Sequence, residues 1–239
     1  MNNFDLELLK KYISKDKLDD AIKKLEDGYP VQYIIGNVEF YNNIIEVNEN
    51  VLIPRFETEY LVDDLLKLLK EYKFDSPNIL DIGTGSGCIS IAIKKNYTCE
   101  IDAIDINDKA IELANKNANN NKVNINFINN SIEKYNPNKK YDVIVSNPPY
   151  VPYEEKVDEK TKYEPQNAIF ASDNGLYFYK LILKKSKSLL NKKSIIAFEI
   201  GHNQGGLLKD ISKECYPNAI IIVKKDLNNF DRYLYIINE

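Results

Sequence analysis

The sequence has very few of the residues that build metal centres, disulfide frameworks and hydrolytic triads. Its 239 residues include one histidine, His202, and three cysteines, none of them in a CxxC pair. This composition argues against a zinc site or a set of disulfides. A Ser-His-Asp hydrolase would have to depend on that one histidine, and no GxSxG elbow accompanies it. We therefore expect no metal site, and we interpret His202 as a loop residue.

Long apolar runs and a strong excess of basic charge are also absent. No run approaches the roughly 18 to 20 apolar residues of a membrane span, and the charged N-terminus does not match a signal peptide. The formal net charge is −4 at pH 7, without the basic footprint of a protein that grips long nucleic acids. We therefore expect a cytoplasmic protein with no membrane association and no stable nucleic-acid binding.

Apolar spacing and helix breakers organise the N-terminal part of the chain. Residues 4–26 predict two short helices, and Gly28 and Pro30 end this segment. The stretch VQYIIGNVEFYNNIIEVNENVLIP is rich in β-branched and aromatic residues and predicts a short hairpin with its turn at YNN. From about Thr58 the spacing predicts an amphipathic helix whose buried side is formed by Leu61, Leu65, Leu68 and Leu69.

Strand-like and helix-like segments alternate from Asn78 onwards, beginning with NILDI and CISIAIKK. Such alternation predicts a parallel sheet that is covered by helices on both faces. Only the short link KDLNNFD separates the last two strands, which should therefore pair as an antiparallel hairpin. The predicted fold class is α/β and doubly wound. We expect three parts: a small helical segment at 1–27, a β-hairpin linker at 28–57 and the main domain at 58–239.

The stretch LDIGTGSGC follows a predicted strand and opens a predicted helix. Its glycines, Gly83, Gly85 and Gly87, alternate along the chain, and glycine lets the backbone turn sharply and approach a ligand. The spacing is GxGxG, whereas the dinucleotide fingerprint is GxGxxG, and no P-loop lysine follows. The loop therefore favours a ligand that lies flat against the backbone and lacks a pyrophosphate.

Two aspartates are associated with this loop in the sequence, one just before it and one at the end of the next strand. Asp105 ends the next strand and lies 20 residues after Gly85, about the offset at which an acid binds ribose hydroxyls in nucleotide-binding βαβ units. Hydrogen bonds to charged groups contribute about 1.5–3 kcal/mol each, so we expect Asp105 to bind a ribose. Asp81 precedes the loop and fits two roles equally well, shaping the turn or facing a cationic group of the ligand.

The stretch VSNPPYVP follows the fourth predicted parallel strand. Ligands of open α/β sheets bind at the carboxyl ends of the strands, near the point where strand order reverses. Asn147 offers an acceptor and a donor, while Pro148 and Pro149 stiffen the backbone and lack an N–H. The side-chain oxygen of Asn147 and the carbonyl of Pro148 could bind both hydrogens of a planar NH2 group. Tyr150 adds a flat face for stacking.

NPPY after the fourth strand and DIGTGSG after the first strand together resemble the S-adenosylmethionine-dependent amino methyltransferases. That group modifies planar nitrogens of adenine, guanine or glutamine. The segments PVQYIIGNVEFYNNIIEVNENVLIPRFETEYLV, YEPQNAIFASDNGLYFY, FEIGHNQGG and KDLNNFDRYL resemble the protein-(glutamine-N5) methyltransferases that act on peptide chain release factors. Phe56 replaces a proline that is usual in this family, and the N-terminal helical segment is shorter than the family's helical bundle.

The resemblance implies a class I S-adenosylmethionine-dependent methyltransferase fold, Rossmann-like, with a seven-stranded, mostly parallel sheet and an antiparallel C-terminal hairpin. It implies methylation of the side-chain nitrogen N5 of a glutamine in the GGQ loop of release factors, which tunes translation termination and leaves S-adenosylhomocysteine. The expected partners are release factors, and the expected state is a monomer. The implied catalytic residues are Asn147, Pro148, Pro149 and Tyr150. The implied cofactor-binding residues are Asp81, Gly83, Thr84, Gly85, Ser86, Gly87, Asp105, Ile106, Ser131, Ile132 and Asn147.

NPPY by itself also fits a nucleic-acid amino methyltransferase that acts on adenine N6 or guanine N2. Such an enzyme flips a base and needs a basic groove. The acidic charge balance and the linker and C-terminal segments count against this alternative. A cofactor-binding module without activity and a nicotinamide oxidoreductase are further alternatives, and the GxGxG spacing disfavours the oxidoreductase.

Overall fold

The N-terminal segment folds into short helices with a small core of their own. The computed structural model describes residues 3–239, so the first two residues of the predicted helical segment lie outside the described residues. The segment contains α1 (Asn3–Tyr12) and α2 (Leu18–Glu26), as the apolar spacing predicts. Leu9 and Leu25 are buried between these helices, where they hold the segment together.

A short stretch of the predicted hairpin linker is helical, which differs from the sequence prediction. Helix α3 (Val31–Ile35) begins directly after Pro30 and ends at Gly36, whose φ is 86°. The rigid Pro30 leads into a first turn, and a left-handed glycine is a common helix end. β-branched residues favour strands only weakly against such flanking signals, so the strand interpretation of Val31–Ile35 is wrong.

The hairpin itself is present, with its turn where the sequence predicts it. Strands β1 (Asn37–Phe40) and β2 (Asn43–Glu46) pair antiparallel. Between them Tyr41 and Asn42 have φ values of 47° and 59°. Positive φ at both central residues is the requirement of a tight two-residue hairpin turn. The hairpin therefore confirms the β-structure of the linker.

A long helix connects the linker to the sheet. Helix α4 (Phe56–Glu71) begins two residues before the predicted start at Thr58, after an extended Arg55. Its leucines lie on one side and pack on the sheet, as their spacing predicts. The predicted buried residues are all confirmed: Leu61, Leu65, Leu68 and Leu69.

The main sheet has seven strands in the order β10-β11-β9-β6-β3-β4-β5. Its strands are β3 (Asn78–Ile82), β4 (Glu100–Asp105), β5 (Asn126–Asn129), β6 (Tyr141–Ser146), β9 (Leu190–Glu199), β10 (Ile220–Lys225) and β11 (Asp231–Asn238). The first five of these run parallel, whereas β11 pairs antiparallel with both β9 and β10. A separate parallel pair consists of β7 (Val151–Pro152) and β8 (Phe170–Ala171). The predicted doubly wound sheet with a C-terminal antiparallel hairpin is confirmed.

Helices cover both faces of this sheet. They are α5 (Cys88–Asn96), α6 (Asp108–Asn120), α7 (Tyr177–Leu189) and α8 (Gly205–Cys215). Asn107 caps α6 by accepting a hydrogen bond from the backbone of Lys109. Along β6, Val143 and Val145 belong to one apolar cluster and Ile144 belongs to the other. Within residues 3–239 we find no helix with the length and apolar character that crossing a membrane requires.

The strand order places a switch point at β3. The chain continues from β3 to β4 on one side, and β6 pairs on the other side. Loops that leave the carboxyl ends of these strands therefore diverge and open a crevice. The glycine loop after β3 and the NPPY stretch after β6 both border this crevice, as the sequence predicts.

Gly87 lies where an added side chain would crowd its neighbours. Its φ is 80°, and an added Cβ would lie 3.2 Å from Ala114 of α6 and 3.2 Å from the ring of Phe127 of β5. We expect Gly87→Ala to lower the free energy of unfolding by about 1–3 kcal/mol, because strain and overpacking add. Urea denaturation followed by circular dichroism measures this loss.

Gly206 provides the matched control for this substitution. It lies in α8, and an added Cβ would meet no atom within 4 Å. Gly206→Ala should leave the unfolding free energy unchanged or raise it by up to about 1 kcal/mol, because alanine favours a helix. Equal unfolding midpoints for the two variants would contradict the role that we assign to Gly87.

Candidate functional site

A cavity of about 290 Å³ lies at the carboxyl ends of the central strands. It is bordered by the glycine loop, the end of β4, the loop after β5, the NPPY stretch and the linker. Most of the site residues expected from the sequence come together here. Those that line the cavity are Gly83, Thr84, Gly85, Ser86, Asp105, Ile106, Ser131, Ile132, Asn147, Pro148 and Pro149.

The glycine loop turns sharply because β4 supports it. The backbone N–H groups of Gly83 and Thr84 both donate to the carbonyl of Ile104, at 2.9 and 3.1 Å. Gly85 has a φ of 54°, a conformation that side chains disfavour. The loop is therefore held against β4, with its backbone facing the cavity.

Asp105 is fixed at the cavity edge by backbone groups. The N–H of Gly85 donates to Oδ2 at 2.9 Å, and the N–H of Asn107 donates to Oδ1 at 2.9 Å. Burial raises the pKa of Asp105, while these two backbone hydrogen bonds act in the opposite direction. Each carboxylate oxygen can accept a further hydrogen bond, so the group keeps acceptor capacity at the cavity edge.

Asp81 lies behind the glycine loop and does not line the cavity. Its Oδ2 accepts hydrogen bonds from the hydroxyls of Thr84 and Ser90, each at 2.7 Å. Its Oδ1 is buried and has no hydrogen-bond partner among residues 3–239. Burial raises the pKa of Asp81 to about 6, and the two hydroxyls oppose this shift. The bond to Thr84 shows that Asp81 shapes the turn, while its contact with a cofactor stays a prediction.

Asn147 stands where β6 ends, with its side chain oriented by a neighbour. The hydroxyl of Ser146 donates to the carbonyl of Ile82 at 2.6 Å and ties the ends of β6 and β3 together. Nδ2 of Asn147 donates to Oγ1 of Thr58 at 3.2 Å. The side-chain oxygen of Asn147 is thus left to accept, next to Pro148, whose nitrogen carries no hydrogen.

Tyr150 is turned away from the cavity. Its carbonyl accepts from Nε2 of Gln204 at 3.0 Å, and its hydroxyl lies 3.4 Å from Oε1 of Glu199. Burial raises the pKa of the Tyr150 hydroxyl. The contacts of Tyr150 with Gln204 and Glu199 therefore support the NPPY stretch from its buried side. The stacking role expected from the sequence stays a prediction.

The linker closes the outer side of the cavity through polar contacts. Nδ2 of Asn107 donates to the carbonyl of Asn50 at 2.9 Å. The buried Glu164 accepts from the backbone of Ile53 at 3.0 Å and pairs with the guanidinium of Arg55 at 2.5 Å. These contacts join the linker to α6 and to the segment that follows NPPY.

Sequence reasoning missed Thr58 and Glu199. Both are 2% exposed, and the hydroxyl of Thr58 donates to Oε2 of Glu199 at 2.6 Å. A signal was present, because an acid inside the apolar strand SIIAFEI is unusual unless a partner satisfies it. The partner comes from α4, which is distant in the sequence, so spacing alone could not identify it.

The fold and the site together define a methyltransferase of class I. The glycine loop, the acid at the end of β4 and NPPY meet at one edge of a seven-stranded, mostly parallel sheet. Residues 58–171 match the family model of the methyltransferase small domain. A methyltransferase structure from Pyrococcus furiosus has the same fold, with a TM-score of 0.61 at 19% identity, covering 81% of this chain and 87% of that one.

Curated relatives specify the family. A release factor glutamine methyltransferase of Fusobacterium nucleatum is 46% identical over 213 residues, covering 86% of this chain and 59% of that protein. A release factor glutamine methyltransferase of Bacillus anthracis is 37% identical over 223 residues, covering 90% of this chain and 79% of that protein. The chain belongs to the release factor glutamine methyltransferase family.

The buried Asp81 gives a testable pH dependence. Its folded-state pKa of about 6 exceeds the ordinary value of 3.8, so the folded state holds this proton more tightly than the unfolded state. The contribution of Asp81 to stability therefore falls as the pH rises through this window, by of the order of 1–3 kcal/mol. Asp81→Asn removes the titration and should stay more stable, relative to the unsubstituted chain, as the pH rises.

Urea denaturation at a series of pH values from about 4 to about 8 measures this difference. We expect the two stability curves to diverge between the unfolded and the folded pKa of Asp81, and to run parallel above it. Curves that stay parallel over the whole range would show that Asp81 does not titrate in this window.

Proposed function

We propose that this protein transfers a methyl group from S-adenosylmethionine to the side-chain nitrogen N5 of a glutamine in the GGQ loop of peptide chain release factors. The observation that carries the proposal is the paired acceptor at the cavity, the Asn147 side-chain oxygen beside Pro148. This arrangement matches a planar NH2 group. The names of the curated relatives supply the glutamine and the release factor.

The cavity residues fit S-adenosylmethionine. Asp105, held by two backbone N–H groups, has acceptor capacity left for the two ribose hydroxyls. Ile106 and Ile132 provide apolar surface at the cavity for the adenine, and Ser131 lies next to Ile132. The glycine loop brings backbone close to the remainder of the molecule. When bound, S-adenosylmethionine supplies an electrophilic methyl group on its sulfonium.

The residues of the chain act mainly by positioning. The Asn147 oxygen and the Pro148 carbonyl would accept the two amide hydrogens of the glutamine. In this pose the nitrogen lone pair points at the methyl group instead of conjugating with the carbonyl. Such alignment can lower a barrier by up to roughly 7–11 kcal/mol. No strong base is needed before attack, because the nitrogen loses a proton to solvent once it carries the methyl group.

The proposed partner is a release factor, bound by a monomer of this chain. The chain spans 59% of the length of the Fusobacterium relative and 79% of the Bacillus relative, so the partner of the whole relative is carried over here as a proposal. Because release factors act on ribosomes, we place the reaction in the cytoplasm. The product would tune translation termination.

A direct assay separates this function from nucleic-acid methylation. The protein is incubated with S-adenosylmethionine labelled in its methyl group and with either a release factor or RNA and DNA. Label on the glutamine of the GGQ loop supports the proposal. Label on adenine N6 or guanine N2 would replace it with the alternative, which the net charge of −4 disfavours.

Asn147→Ala is expected to abolish methyl transfer while cofactor affinity largely survives. The substitution removes the acceptor that holds the glutamine amide, but it leaves the glycine loop and Asp105 intact. Turnover is measured with purified release factor, and cofactor affinity is measured by calorimetry. The control is Asn138→Ala on the exposed surface. Undiminished turnover of Asn147→Ala would refute the role of Asn147.

Asp105→Ala is expected to weaken S-adenosylmethionine binding by about 2–5 kcal/mol, because it removes charge-assisted hydrogen bonds to the ribose. Calorimetric titration measures the change. The neighbouring Asp108, exposed at the start of α6, provides the control, and Asp108→Ala should bind as the unsubstituted chain does. Equal affinities for the two variants would show that Asp105 does not hold the ribose.

A further inference from the structure

A buried chain of hydrogen bonds lies behind Asn147. It begins at Glu199, the last residue of β9, and passes through Thr58 in the first turn of α4. The Thr58 hydroxyl donates to Oε2 of Glu199 at 2.6 Å, and Nδ2 of Asn147 donates to the Thr58 oxygen at 3.2 Å. Both inner members are 2% exposed, so solvent does not compete for these bonds.

The hydrogen bonds from Asn147 through Thr58 to Glu199 can run in only one direction. A carboxylate only accepts hydrogen bonds, and a threonine hydroxyl has a single proton. Because the proton of Thr58 is committed to Glu199, the Thr58 oxygen can only accept from Asn147. An amide has one donating end and one accepting end, and its side-chain torsion admits both orientations. These hydrogen bonds therefore turn the NH2 of Asn147 inward and its oxygen towards the cavity.

The contacts that Glu199 makes in the structure are those of an acceptor. The hydroxyl of Tyr150 lies 3.4 Å from the other carboxylate oxygen, and Arg232 of β11 attracts the negative charge. Burial raises the pKa of Glu199 and the nearby Glu57 adds to this shift, while the hydrogen bonds from Thr58 and Tyr150 oppose it. The start of α4 also favours a negative charge at this place.

We propose that Thr58 and Glu199 are positioning residues, which set the orientation of the Asn147 amide so that its oxygen meets the substrate NH2. This inference rests on the proposed function. A reversed amide would bring the NH2 of Asn147 against the NH2 of the substrate, two donors facing each other. The hydrogen bonds through Thr58 and Glu199 therefore select the productive orientation of the Asn147 amide over the unproductive, reversed one.

Thr58→Val tests the proposal with little change of shape. Valine removes the acceptor for Asn147 and the donor for Glu199, so the Asn147 amide loses its preferred orientation. We expect the turnover number on release factor to fall by about 10- to 100-fold, the effect of one or two lost hydrogen bonds. Affinity for S-adenosylmethionine, measured by calorimetry, should stay as in the unsubstituted chain.

Three comparison variants sharpen the test. Thr58→Ser restores the hydroxyl and should recover most of the rate. In Glu199→Gln the new amide can donate as well as accept, so the hydrogen bonds between residue 199, Thr58 and Asn147 can form in either direction. This variant should lower turnover less than Thr58→Val. Thr98→Val, at an exposed position far along the chain, should leave turnover unchanged. Equal losses in the valine and serine variants, or a loss confined to KM, would overturn the proposal.

A readout without substrate keeps this inference separate from the proposed function. The side-chain amide signals of Asn147 in a ¹H–¹⁵N spectrum, assigned by their loss in Asn147→Ala, should move in Thr58→Val and stay in Thr58→Ser. If these signals do not respond to Thr58→Val, the positioning role is wrong. If they respond as expected but the unsubstituted chain does not methylate release factor, the proposed function is wrong and the orienting contact stands.

Discussion

Burial of the central strands on both faces decides where polar chemistry can occur in this protein. Along β6, Val143 and Ile144 face opposite apolar clusters, so a polar group within the strand would lose its hydration. Asp81 inside β3 shows this cost in its raised pKa. Polar groups therefore lie where the parallel strands end. Asp105 and Asn147 line the same cavity there, from opposite sides of the switch point.

The polar side chains of the site are oriented by hydrogen bonds to other parts of the protein. Two backbone N–H groups orient the carboxylate of Asp105, and Thr58 orients the amide of Asn147. Pro148 presents a carbonyl on a backbone that has little freedom. In the proposed reaction each of these groups would have its geometry already fixed by its neighbours. A reaction that relies on alignment instead of strong acids and bases benefits from such preorganisation.

Much of the fold was predictable, because local patterns and global packing agree in it. The alternation of strands and helices and the leucine face of α4 are both confirmed. The error at Val31–Ile35 arose because Pro30 and Gly36 outweighed the strand preference of the residues between them. The inward orientation of Tyr150 depends on Gln204 and Glu199, which join it only in the folded chain.

The sequence by itself determined the sheet, the glycine loop, the acid at the end of β4 and the stiff NPPY stretch. Each of these follows from residues that are neighbours along the chain, where spacing and backbone preference act directly. Only the tertiary structure decided which end of the Asn147 amide faces the cavity. That choice depends on Thr58 and Glu199, which lie 141 residues apart and meet because α4 packs beside the end of β9. A hydrogen bond over such a separation leaves no periodic trace in the sequence.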